Sequence, residues 1–244
     1  MTAVAWAAAC LVVILATVVQ AGTGMGFGIV AVPLLVLVAP ELGIGAVLAI
    51  TVVVMCAVAW SERRWLSVPD LVRTSVAAVP GVVVGTAIAR VTPEAAMQVT
   101  VGAVVAAASA LSLLAWKARM TPASVAVAGA LGGVLTPVAA LPGPPMAVVY
   151  RPDDVRTMRS TLSAYFAVTS VLALATLSLT ASGTGVASLG ADVLHGLALT
   201  PAVILGAVAA APLVRRLPAE LVRRSALVLS LVSGVALALR GVAA

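Results

Sequence analysis

Apolar runs of about twenty residues alternate with short polar or charged breaks along nearly all of the 244 residues. The pattern predicts full spans over Ala3 to Val19, Leu42 to Trp60, Leu71 to Ala89, Ala95 to Trp116, Ser160 to Thr180, Val193 to Pro212 and Leu221 to Leu239. Ala123 to Leu135 is a further apolar stretch, weakened at Thr136-Pro137. Two runs are too short to span. Phe27 to Ala39, stopped by Pro40 and Glu41, gives about 20 Å of helix against a hydrocarbon core of about 30 Å, and Met146 to Tyr150 is shorter still. Each follows a Gly/Pro-rich break: GTGMGFG in the stretch Gly22 to Leu35, and LPGPP in Leu141 to Tyr150. Non-helical backbone at membrane depth is tolerated only where protein buries it or a cavity borders it. Two such breaks in matching positions of two halves point to a transporter's binding site, with packing kinks as the plainer alternative.

Composition strengthens this picture. The chain is 63% hydrophobic and 9% charged, with a mean hydropathy of +1.22, so it is expected to be an integral membrane protein forming a single transmembrane domain. Aromatics are only 3%, and abundant small residues predict close helix approach. The net charge of +6 does not indicate nucleic acid, because the basic residues sit in short clusters between apolar runs. Cys10 and Cys56 fall inside apolar segments and read as packing residues without a disulfide. Met1 to Trp6 has no basic n-region, so no cleaved signal peptide is expected.

Charge also sets the topology. If both breaks are single crossings, the 14 Lys and Arg divide six to eight between the two sides. If the second unit returns to the side it entered from, all but Arg90 and Arg240 fall on one side, a split of twelve to two that the positive-inside rule prefers. The second unit is therefore expected to be a re-entrant hairpin entering from the cytoplasm. The uncharged N-terminus leaves the first unit to symmetry. The fold class expected is an all-α polytopic membrane protein with about eight transmembrane helices plus two Gly/Pro-rich re-entrant half-helix hairpins. They form two inverted-topology repeats, about 1–119 and 120–244, with both chain ends extracytoplasmic.

Three motifs carry a resemblance. Gly24, Gly26 and Gly28 precede Val32, Pro33 and Leu34; Gly143, Pro144 and Pro145 precede Tyr150; and Arg159, Leu162, Ala164 and Phe166 form R-x-x-L-x-A-x-F. In this order and spacing the chain resembles the sulfite exporter TauE/SafE family, also called the toluene sulfonate uptake permease family. Phe27 and Pro142 stand where that family usually has glycine. The resemblance implies a secondary carrier in a bacterial plasma membrane, exporter or permease, for a small anion such as sulfite, an organosulfonate or a related sulfur-containing or carboxylate anion.

The chemistry of the breaks agrees with an anion. Helix N-termini present unpaired N–H groups and partial positive charge, and here the helices starting near Phe27 and Pro144 would aim them at the midplane. Gly24, Gly26 and Gly28 allow close backbone approach, while Pro144 and Pro145 remove donors and leave Gly143, Met146 and Ala147 on that tip. A helix end contributes about 0.3 to 2 kcal/mol, less than the several kcal/mol needed to dehydrate an ion. The candidate site therefore also includes Phe27 and the hydroxyls of Thr23, Thr51, Thr136 and Ser163 or the Arg159 cation, the alternative being an anion that stays partly hydrated. Each hydroxyl has the alternative of bonding its own helix, and Arg159 that of a topology residue. Asp192 and His195 share a helix face, as a proton relay or an interfacial pair.

One histidine, no Gly-x-Ser-x-Gly and no His-Glu-x-x-His argue against an intramembrane enzyme, so no catalytic residue, metal or cofactor is expected. A membrane scaffold or accessory subunit is the other alternative. The partners expected are the anion and the lipid bilayer, with no nucleic acid; a homo-oligomer is compatible with the sequence.

Overall fold

The computed structural model describes residues 2–243 apart from 25, 115–118, 182–183 and 217–218. Met1 and Trp116, named above, and Met25 within the first break lie outside the described residues. Among them the chain is helical throughout, with no strand: α1 (Ala3–Thr23), α2 (Phe27–Val38), α3 (Ile44–Ser61), α4 (Val68–Val91), α5 (Glu94–Leu113), α6 (Pro122–Ala139), α7 (Gly143–Val149), α8 (Val155–Thr180), α9 (Thr184–Ala198), α10 (Thr200–Arg216) and α11 (Ala219–Ala243). Eight stretches are long and apolar enough to cross a membrane, among them Ser188–Ala210, which runs through α9 and α10. Their junction has a local cause. Pro201 has no N–H to give the Leu197 carbonyl, and the Thr200 hydroxyl donates to that oxygen instead, at 2.6 Å.

Among the element boundaries that differ from the sequence expectation, three bear on the site. α1 does not stop at Val19 but continues through a buried Gln20 to Thr23, ending where Gly24 turns left-handed at φ +76 and returns its N–H to the Gln20 carbonyl at 2.8 Å. α6 runs through Thr136-Pro137 to Ala139 rather than weakening there. α8 begins at Val155, inside the stretch expected to be a charged loop, because Asp154 accepts from the amides of Arg156 and Thr157 at 3.2 Å and caps it. Arg156 and Arg159 thereby become helix residues.

The apolar surface faces both ways. Val76, Val83, Leu131 and Val208 are exposed on the outside, where lipid replaces water, while the interior is filled by small and β-branched residues. The closest crossing is that of α4 with α6. Gly81 and Gly85 lie against the α6 backbone at Ala130 and Val134, and Gly129 and Gly133 against the α4 backbone at Thr74 and Ala78. Small residues four apart on both helices let the backbones touch.

The packing pattern repeats. α1 pairs with α2 and α10, as α6 pairs with α7 and α4; α3 packs on α9 as α8 packs on α4; and α3 packs on α8 and α5 on α11. Exchanging α1–α5 with α6–α11 therefore maps helix contacts onto helix contacts.

Contacts also sort the loops into two ends. At one end, Arg151 N donates to Met120 Sδ at 3.4 Å, Ser67 N donates to Thr161 Oγ1 at 3.0 Å, and Arg159 pairs with Glu62 at 3.3 Å. At the other, the Trp6 and His195 rings meet edge to face at 5.8 Å, and the Gly43 and Gly45 amides donate to the Asp192 carboxylate, which shares a surface pocket with Arg90 and Thr180.

Candidate functional site

The two breaks meet. A cavity of about 30 Å3 lies between the start of α2 and the segment leading into α7. Gly26, Phe27 and Gly28 form one wall, and Leu141, Gly143 and Ala147 the other, with Thr51 and Met55 of α3 and Phe166 of α8 closing the sides. Phe27 is fully buried. The tips approach so closely that a β-carbon on Gly28 would sit 3.1 Å from the Leu141 side chain and 3.5 Å from the Ala140 carbonyl oxygen.

The polar chemistry of this cavity is dominated by Gln20, which directly follows the apolar run Ala3 to Val19 and is not among the site residues expected from sequence. The side chain is 1% exposed. Its Oε1 accepts from the amides of Gly26 at 3.0 Å and Phe27 at 3.1 Å, and its Nε2 donates to the Gly24 carbonyl at 3.0 Å and faces Met55 Sδ at 3.8 Å. Only this orientation matches donors to acceptors. The signal was available: a glutamine four residues before a glycine cluster, in an otherwise apolar helix, must find hydrogen-bond partners once buried.

Of the fourteen site residues expected from sequence, Gly26, Phe27, Gly28, Thr51, Gly143 and Ala147 line the cavity. The others are placed elsewhere. Thr23 donates to the Val19 carbonyl at 2.8 Å and borders a smaller pocket toward α11. Gly24 lies under the Arg159 stem, which would collide with a β-carbon there. Thr136 is buried and bonds Gly132 O at 2.7 Å. Pro144 and Pro145 face an apolar groove shared with α5 and α6, and Met146 is core. Ser163 is buried on α8 with no hydrogen-bond partner for its Oγ, outside the cavity lining. Arg159 is held by Glu62 and is not a lining cation.

At the cavity wall, the Thr51 hydroxyl donates its proton to Val47 O at 2.7 Å. The glycine tip brings the Gly26 and Phe27 amides, both bonded to Gln20, to the cavity. The second tip has a different support. Tyr150, at the C-terminal end of α7, donates to Asp70 Oδ2 at 3.1 Å; Ser67 Oγ donates to the same oxygen at 2.9 Å, and Arg73 pairs with the other at 3.2 Å. Burial pushes the Tyr150 pKa up from 10.0 to about 12, so it remains a donor at physiological pH. This Asp-x-x-Arg in α4 has a counterpart in α9. Asp192, three residues before His195, holds the amides that follow α2.

The model of the sulfite exporter TauE/SafE family matches residues 9–237, which include both tips and every cavity residue. The chain belongs to this family. It is therefore a multi-pass membrane transporter, in a family named for sulfite export. No curated protein and no solved structure matches it. Two residues that sequence noted only as parts of this TauE/SafE chain's motifs have structural roles. Phe166 packs beside Gly143, 3.5 Å from where a β-carbon would be, and Tyr150 ties the end of α7 to α4.

Proposed function

We propose that the chain carries a small anion by alternating access around the cavity between the two tips. The ligand class is sulfite, an organosulfonate or a related sulfur-containing or carboxylate anion. The observation that carries this reading is the convergence of both Gly/Pro breaks on one buried cavity whose donors are backbone amides at the head of α2. The 12-residue α2 brings a helix dipole to that point; the seven-residue α7 adds little of its own and serves as a stiff opposite wall. A cavity of about 30 Å3 holds one or two water molecules. A four-atom oxyanion such as sulfite needs more, so loading requires the tips to part.

Both units read as re-entrant hairpins. The amide just after α7 bonds Met120, just before α6, and Trp6 near the start of α1 meets His195, one turn from the Asp192 that holds the connection after α2. Each unit thus starts and finishes at one end, and the two units do so at opposite ends. This supports inverted repeats, with the basic end cytoplasmic in a bacterial plasma membrane and Arg90 opposite.

The test is thermal unfolding of the purified chain against a panel of sulfite, methanesulfonate, acetate and chloride, followed by flux in proteoliposomes. A shift and a flux confined to sulfur oxyanions or carboxylates support the proposal. A panel that moves neither quantity returns the chain to a scaffold or accessory role.

A further inference from the structure

Gln20 gives the cavity an internal stand-in for an anion. Its side-chain oxygen is bonded to two backbone amides, those of Gly26 and Phe27, in the way a substrate oxygen would be. We infer that Gln20 allows the tips to close without substrate, and that this transporter therefore performs net one-way transport rather than obligatory exchange. The inference rests on the carrier reading above and extends it to the mode of transport.

A carrier that moves substrate in one direction must return unloaded through the same closed form. If closure buries amides whose only acceptor is the substrate, the unloaded form pays for each unpaired donor, and return is slow. The carrier then exchanges one anion for another far faster than it moves anions alone.

Here closure leaves neither amide unpaired. Gln20 satisfies both, donates its own Nε2 to Gly24 O, and leaves only water-sized space. An anion still displaces it, because hydrogen bonds to a charged acceptor are about twice as strong as those to a neutral one. The side chain is thus weak enough to yield to substrate and sufficient to replace it. A local staple that merely shapes residues 24–27 would make the same bonds, and the experiment separates the two roles.

Flux of labelled sulfite and methanesulfonate is measured from proteoliposomes holding the full chain, into buffer with and without the same anion. Wild type is expected to show net efflux within a few-fold of exchange. Gln20→Met keeps the side chain's length without its acceptor, and should lower net efflux about 10- to 100-fold more than it lowers exchange. A second readout needs no substrate. With Cys10 and Cys56 replaced by Ala, a Thr51→Cys reporter on the cavity wall should react with a small methanethiosulfonate about tenfold faster when Gln20 is Met, because the unloaded tips stay apart.

Equal loss of exchange and net efflux in Gln20→Met, or unchanged Thr51→Cys reactivity, makes Gln20 a staple and overturns the inference. Wild-type flux that occurs only by exchange overturns it as well. A wild-type chain that moves neither anion in either mode overturns the carrier reading itself.

Discussion

The two tips occupy equivalent places in the packing pattern and reach the same cavity, yet they are built from opposite backbone chemistries. The glycine tip exposes amides and needs a partner for them, which Gln20 supplies. The proline tip has few amides to expose, its helix is seven residues long, and it has no side-chain cap at its N-terminus. It is held from its other end, through Tyr150 and Asp70. The difference teaches that a similar packing pattern does not require similar chemistry: one tip is rich in backbone amides, and the other is poor in them.

The widest contrast proposed between the tips is the direction each unit enters from. Asp153→Cys should react with a membrane-impermeant maleimide only from the cytoplasm, and Glu41→Cys only from outside; labelling of both from one side breaks the inverted arrangement. Both positions are exposed.

Next in size is blockage. Gly26→Trp fills the donor tip, and flux in proteoliposomes should vanish while membrane insertion is unchanged; undiminished flux would place the path elsewhere.

A smaller substitution sharpens the comparison. A β-carbon on Gly26 would sit 2.6 Å from Val19 Cγ1 and 3.2 Å from Thr23 Oγ1, whereas on Gly143 it meets only Phe166, at 3.5 Å. Gly26→Ala is therefore expected to cost about 1 to 3 kcal/mol in unfolding free energy. Gly143→Ala should stay within about 0.5 kcal/mol, and equal losses would mean that the tips are equally crowded.

The mildest change is Tyr150→Phe, which removes one hydrogen bond to Asp70 and should destabilise by about 1 kcal/mol. Its pH signature follows from the raised pKa. The folded chain keeps the proton while the unfolded chain releases it, so stability is unaffected below pH 10.0 and falls as pH rises toward about 12. That alkaline slope should flatten in Tyr150→Phe, and an unchanged slope would assign it to another group.

The eight apolar stretches, the two short helices and the charge asymmetry were legible in sequence because each depends on local composition and on the length needed to cross a bilayer. The motif residues pointed to the two breaks that border the cavity, since Gly and Pro favour such breaks there. For Arg159 and Thr136 the sequence left two roles open, and packing chose between them. Arg159 became a paired helix residue because Asp154 caps α8 early, and Thr136 spends its hydroxyl proton on its own helix. The proposed return of the first unit was silent in sequence because no charge marks the N-terminus. The supporting contact, Trp6 with His195, joins residues far apart in the chain.

Sequence by itself thus determined a transporter of the TauE/SafE kind, its spans and the glycine and proline character of its two breaks, because hydropathy and backbone permissiveness are properties of single residues and their neighbours. Tertiary structure alone decided which amides face the cavity and what they bond to. Gln20 meets Gly26 and Phe27 only because Gly24 turns the chain back over it. Partner choice of that kind depends on burial and on geometry across the turn, which composition does not encode.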